Sequence, residues 1–239
     1  MQAPSPGLCA QRHDLARALF GPDVRICVTD PQQPQPAPFP DEAAGLSPRA
    51  VEKRQREFAA GRAAAHQAIH DLGHPPVAIP VGEHRAPIWP NGLTGSISHT
   101  HSCAMAAVAD TKDFAGLGLD VEEDTPLKPE LWDAICSAGE QDWMRRQKNP
   151  GQMGKLIFSA KEAAYKCQYA LSETYFGFDG MELEIDSHDN RFLARFTADR
   201  APFKAADEIA GRFAIGAGVI ITAAELPRAV ADHMQQRPE

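Results

Sequence analysis

The 239-residue sequence predicts an α+β fold. A long amphipathic helical stretch near residues 47–73 is followed by two apolar, strand-like runs at 103–109 and 114–121. A second long helical stretch at 153–171 is followed by two further hairpin patterns. Each half of the chain therefore reads as a long helix and then antiparallel strands. Hydrophobic residues make up 43% of the chain and charged residues 23%, which is ordinary for a globular protein, and the length suits one large or two small domains.

The elements follow in order. Residues 12–20 read as a short helix stopped by Gly21-Pro22, and Val24 to Thr29 as a strand. Pro31 to Pro40 is proline-rich and reads as an extended connector. Ser47 is the expected N-cap of the first long helix, with Pro48 in its first turn and Gly73 as its stop. Val51, Phe58, Ala65 and Leu72 recur every seven residues and should form its buried stripe. Lys53, Arg54, Arg56 and Arg62 run beside that stripe. Val77 to Val81 reads as a short strand, and Asn91-Gly92 as a turn. The runs 103–109 and 114–121, joined by Asp110-Thr111-Lys112-Asp113, read as a hairpin. Leu131 to Cys136 is a short helix, and Ser137-Ala138-Gly139-Glu140 is a capping box opening another. After the helix at 153–171 come hairpins at 180–186/191–197 and 212–215/219–224.

Net charge is −8, which argues against non-specific nucleic-acid binding and requires any site for an anionic ligand to be a local basic patch. The five cysteines, Cys9, Cys27, Cys103, Cys136 and Cys167, contain no CxxC spacing and fit a reducing compartment. No apolar run reaches the length of a membrane span, and the N-terminus carries no secretory pattern, so a cytoplasmic protein with no membrane association is expected.

Two stretches carry chemistry. In Gly116-Leu117-Gly118-Leu119-Asp120-Val121-Glu122, strand alternation puts Asp120 and Glu122 on one face, roughly 6–7 Å apart at their Cα atoms. Two such carboxylates repel unless a cation lies between them, and oxygen-only ligands suit Mg²⁺. In Phe158-Ser159-Ala160-Lys161-Glu162-Ala163-Ala164-Tyr165-Lys166, Glu162 and Lys166 are i and i+4 on one helix face. Read singly, the first is usually a solvated acid pair and the second a surface salt bridge; it is the two together, with apolar residues around them, that point to a site. His66 and His70 are also i and i+4, but no third zinc ligand accompanies them. His99, His101 and Cys103 could line one face of a strand; packing or a rim position is the preferred reading for the last two.

These two stretches, with Ser96-Ile97-Ser98-His99 upstream, resemble the three signature motifs of the 4′-phosphopantetheinyl transferases. The resemblance covers roughly 48–226 and lies with the surfactin-type superfamily, in its enterobactin synthase component D-like branch. It implies two similar α/β halves related by a pseudo-twofold, each a small antiparallel sheet on a long helix, divided as 1–112 and 113–239. It implies Mg²⁺ (or Mn²⁺) on Asp120, Glu122 and Glu162, with Glu162 also taking the acceptor proton and Lys166 stabilising phosphate charge. Arg54, Glu57-Phe58 and Arg62 match the family's basic helix, so Arg54, Arg62, Arg85, Ser98 and His99, with Lys166, are expected to hold coenzyme A. Some relatives place a lysine where this chain has Val81, and Arg85 is expected to supply part of that charge. The implied reaction moves 4′-phosphopantetheine onto a serine of an apo acyl or peptidyl carrier protein and releases adenosine 3′,5′-bisphosphate, from a monomer with pseudo-dimeric halves. A Mg²⁺-dependent nucleotide-diphosphate phosphohydrolase and a degenerate nucleotide-binding scaffold are the alternatives; the complete acid and lysine set disfavours the scaffold.

Overall fold

A computed structural model describes residues 6–47 and 49–237. Its helices are α1 (Pro6–Arg17), α2 (Pro40–Ala43), α3 (Glu52–Asp71), α4 (Trp132–Ile135), α5 (Ala138–Arg145), α6 (Pro150–Ser172) and α7 (Arg228–Gln235). Its strands are β1 (Arg25–Thr29), β2 (Leu93–His99), β3 (Ala104–Asp110), β4 (Phe114–Glu123), β5 (Met181–Asp186), β6 (Arg191–Phe196), β7 (Glu208–Gly216) and β8 (Val219–Pro227). They form two antiparallel sheets, β1-β3-β2 and β4-β8-β7-β6-β5. Helix α3 packs on the first sheet through β1 and β3, and α6 packs on the second through β4 and β8. The α+β prediction of a long helix on each antiparallel sheet is what the chain forms, although the sheets differ in size.

The amphipathic reading of α3 holds in its middle. Ala64, Ala65, Ala68 and Ile69 are buried against the first sheet, Phe58 is buried beneath the Arg62 guanidinium, and Gly73 ends the helix at φ +96°. The ends differ from expectation. The helix starts at Glu52 with Val51 as its N-cap, and Val51 is 69% exposed, so the seven-residue stripe does not reach it. The Ser47 hydroxyl instead accepts from Arg49 N, and Pro48 lies outside the described residues. Residues 77–81 make only an isolated bridge, Val81 to Pro87; Pro75, Pro76 and Pro80 leave too few N–H donors there for a ladder. The capping box of α5 is present, with Glu140 N donating to Ser137 Oγ and Ser137 N to Glu140.

The expected hairpin between 103–109 and 114–121 does not form. Strand β3 is the central strand of its sheet, with β1 on one edge and β2 on the other, so no edge is left for β4. After the turn at 110–113 the chain crosses to the second sheet, where β4 pairs with β8 in the register Asp120↔Thr222. Strand β4 still lies beside β2, and serine hydroxyls stitch the two sheets there. Ser96 Oγ accepts from Leu119 N at 2.9 Å and donates to Leu119 O at 3.3 Å, while Ser98 Oγ accepts from Val121 N at 3.3 Å. Each hydroxyl stands in for a backbone group that a continuous sheet would have supplied. Helix α1 closes the same seam at one end: Arg12 donates to Ser102 O at 2.7 Å and to Ala217 O at 3.1 Å. Among the described residues no helix is long and apolar enough to cross a membrane.

Candidate active site

The site lies where β4 meets α6. A Cβ on Gly118 would stand 1.8 Å from Ala163 O, and one on Gly116 2.2 Å from Cys167 O. Only glycine permits this approach, and it sets α6 against the end of β4 that carries the acids. Asp120 is 4% exposed, and both of its oxygens are engaged. Oδ1 accepts from Lys166 Nζ at 2.6 Å and Ser98 Oγ at 2.8 Å, and Oδ2 accepts from Ser159 Oγ at 2.8 Å. Thr222, opposite Asp120 on β8, donates to Ser159 O at 2.9 Å and fixes that turn of α6. Two residues along β4, Glu122 Oε2 accepts from Lys155 Nζ at 3.1 Å. Glu162 lies on the same helix face as Ser159 and Lys166 and lines a cavity of about 440 Å³ with Lys166, Tyr165 and His99.

A second cavity, of about 530 Å³, is lined by Arg54, Arg62, Arg85 and His99, and it shares Arg85, Pro87, Ile97 and His99 with the first. The expected basic residues and Glu162 with Lys166 thus face one continuous cleft. Pleating of β2 explains the division of labour: Ser96 and Ser98 turn to β4, while Ile97 and His99 line both cavities. Ser98 is therefore placed differently from expectation. Its hydroxyl is committed to Asp120 and the seam and does not line the basic cavity.

His99 Nε2 lies 2.7 Å from Arg54 Nη1, and its Nδ1 lies 3.7 Å from Glu57 Oε2. Burial, then the cations Arg54 and Lys166, push its pKa down to about 4. The neutral ring accepts from Arg54 and carries its proton on Nδ1, so it orients the arginine and adds no charge of its own. The Arg62 side chain is 7% exposed, with its guanidinium over the Phe58 ring at 4.7 Å. Its Nε has no hydrogen-bond partner, and the nearest carboxylate, Glu42, is 3.8 Å away. A buried cation with an unused donor on a cavity wall suits an anionic ligand. Arg85 is carried on a short turn in which His84 and Arg85 both have positive φ, 50° and 65°. Such conformations persist only where the surroundings hold them, and His84 stacks on Tyr175 with 5.2 Å between ring centroids.

The chemistry of Asp120, Glu122 and Glu162 fits a hard divalent cation. All donors are carboxylate oxygens, and burial first, with the charge of Asp120 adding to it, raises the pKa of both Glu122 and Glu162. The three are not gathered into a closed set: among the described residues no three His, Cys, Asp or Glu side chains stand close enough to hold a metal. Lysines occupy two of the three acids. His66 Nε2 donates to Glu42 Oε1 at 2.7 Å, His101 lies 3.0 Å from Glu123, and Cys103 is fully buried, so none of these joins a metal cluster.

Several participants escaped sequence reasoning. Ser159 and Lys155 lie three and seven residues before Glu162, spacings that share its helix face, and that signal was available. Thr222 becomes visible only through the β4–β8 register. Glu42, wholly buried, accepts from Phe39 N and Ile79 N and faces Arg62; nothing in its local sequence marks it.

Known proteins resemble this chain in sequence. A family model described as the 4′-phosphopantetheinyl transferase N-terminal domain matches residues 41–109, and one described as the 4′-phosphopantetheinyl transferase superfamily matches 116–218. The chain is 35% identical over 198 residues to 4′-phosphopantetheinyl transferase Svp of Streptomyces mobaraensis, covering 81% of this chain and 80% of that protein. It is 30% identical over 193 residues to 4′-phosphopantetheinyl transferase PptT of Mycobacterium tuberculosis, covering 78% and 85%. Enterobactin synthase component D of Salmonella typhi is 35% identical over 135 residues, 55% of each chain. The chain belongs to the 4′-phosphopantetheinyl transferase superfamily, transferases that move the phosphopantetheine arm of coenzyme A onto carrier proteins.

Proposed function

We propose that this chain performs that transfer in the cleft between its two sheets, on a serine of an apo acyl or peptidyl carrier domain, with release of adenosine 3′,5′-bisphosphate. The observation that carries the reading is the meeting of Arg54, Arg62, Arg85 and His99 with Glu162 and Lys166 along one cleft. The arginines hold the phosphates of the nucleotide end, with His99 orienting Arg54. Asp120, Glu122 and Glu162 hold Mg²⁺, or Mn²⁺ in its place, which supplies charge neutralisation at the diphosphate oxygens. Glu162 accepts the proton of the attacking serine; burial raises its pKa, which makes it a better proton acceptor. Lys166, 2.6 Å from Asp120, is placed to share its charge with the transferring phosphate. Little bond-making falls to the protein itself, so positioning and electrostatics carry the rate.

Residues 1–112 then act as the nucleotide-holding half and 113–239 as the half that carries the acids. The protein works as a cytoplasmic monomer serving siderophore, non-ribosomal peptide or polyketide assembly. The test is incubation of the purified protein with coenzyme A, Mg²⁺ and a panel of apo carrier domains, read by intact mass. A carrier that gains one phosphopantetheine supports the reading. Release of adenosine bisphosphate with every carrier unchanged would point to hydrolysis instead.

A further inference from the structure

Helix α6 and the end of β4 meet residue by residue. Gln152 donates to Asp124 at 2.7 Å, Lys155 to Glu122 at 3.1 Å and Ser159 to Asp120 at 2.8 Å, and Glu162 follows on the same helix face. The partners are unequal. Asp120 has Lys166 and two hydroxyls, whereas the only hydrogen-bond partner of the Glu122 carboxylate among the described residues is Lys155. The pair is shielded, with side chains 17% and 25% exposed, and the lysine also lies 5.7 Å from the Phe158 ring. Shielding of this kind strengthens an ion pair relative to one in open water. A cation that uses Glu122 must therefore displace an ammonium already on Oε2 or bind against its charge.

We propose that Lys155 is a resident competitor for Glu122: the carboxylate is held by the lysine in the free protein and passes to the divalent cation on loading, so that Lys155 sets how weakly the protein binds metal before the donor arrives. The proposal rests on the reading of Asp120, Glu122 and Glu162 as the metal set. Its consequence is that the cation is held poorly by the protein alone and well together with the donor's phosphates, which add oxygens that Lys155 does not contest. The sign follows from mass action: neutralising the competitor frees Glu122 and tightens metal binding, provided that Glu122 is itself a ligand.

The test is Mn²⁺ binding to the full chain without coenzyme A, measured by calorimetry and by the electron paramagnetic resonance signal of free Mn²⁺. Lys155→Met keeps the apolar stem beside Phe158 and is expected to bind Mn²⁺ roughly three- to tenfold more tightly than wild type, the scale of a partly shielded ion pair. Lys155→Arg, which keeps the charge, should bind like wild type. In a Glu122→Gln background the gain from Lys155→Met should vanish. An unchanged or weaker affinity in Lys155→Met overturns the proposal. So does a gain that persists with Glu122→Gln, because Lys155 would then act through its field and not through Glu122. Asp120→Asn separates the two readings. If it leaves Mn²⁺ binding intact, the carboxylate set is wrong and the proposal falls with it. If it abolishes binding while Lys155→Met changes nothing, only the proposal fails. Should Lys155→Met lose its cooperative melting transition, Lys155→Gln carries the same comparisons.

Discussion

Gly118→Ala tests how the site is built. The added Cβ would lie 1.8 Å from Ala163 O, 2.7 Å from Ala163 C and 3.0 Å from Cys167 Cβ. The first two are helix backbone and cannot rotate aside, so α6 must move away from β4. Overpacking costs about 1–3 kcal/mol, and a clash with backbone belongs at the upper end. For a chain of this size about 3 kcal/mol lowers Tm by roughly 6–12 °C. The rate should suffer separately. The hydrogen bonds from Ser159 and Lys166 to Asp120, 2.8 and 2.6 Å, bridge the interface that opens, and misplacement by about 1 Å is worth about 10²-fold. Gly139→Ala is the control, since its nearest contact is the end of the exposed Glu182 side chain, Oε1 at 3.4 Å, and it lies in the first turn of α5. The assay is a melting curve and a phosphopantetheine-transfer rate for each variant. A Gly118→Ala protein with wild-type Tm and rate would refute the claim that this close approach sets the site.

Other perturbations have distinct signatures. Arg62→Ala should weaken coenzyme A more than dephospho-coenzyme A in a direct binding assay, because a buried, unused donor on the cavity wall is assigned to a phosphate. Glu42→Ala leaves Arg62 without its nearest counter-charge and should lower stability by about 3–5 kcal/mol in denaturant melts. His99 is neutral in the folded protein down to about pH 4, whereas the unfolded chain takes a proton near its ordinary value of 6.5. Its contribution to stability is therefore present above pH 6.5 and lost as pH falls toward 4, and His99→Gln should flatten the fall in Tm over that window. Asp120→Asn should abolish transfer and weaken the interface of β4 with α6, a loss of about 1–3 kcal/mol, because Lys166, Ser98 and Ser159 lose a common charged acceptor.

The acids and lysine were legible because strand and helix periods dictate which residues share a face. Asp120 and Glu122 follow from a period of two, and Glu162 and Lys166 from i and i+4. The arginines were legible only through resemblance; a basic helix face by itself equally describes a solvated surface. What stayed hidden depends on contacts between distant segments. The apolar runs at 103–109 and 114–121 announce strands but not the sheet each joins, and the edges of β3 were already taken by β1 and β2. The side to which Ser98 turns is fixed by the register of β2, which no local pattern reveals. Glu42 and Thr222 meet the site from 20 residues before Arg62 and 63 residues after Ser159, beyond any helical or strand period. Lys155 was readable by spacing, but its pairing with Glu122 was not.

The proposed transfer turns on Glu162, aided by Lys166, in the cleft. The most direct measurement is the single-turnover rate of transfer from coenzyme A to an accepted apo carrier, read by intact mass, for wild type, Glu162→Gln and Lys166→Ala. Glu162→Gln keeps the shape and removes the proton acceptor, so its rate should fall by about 10²-fold or more, and saturating Mg²⁺ should restore little of it. Lys166→Ala should be similarly impaired, and Lys166→Arg should keep part of the rate. A Glu162→Gln enzyme that modifies the carrier at the wild-type rate would contradict the account.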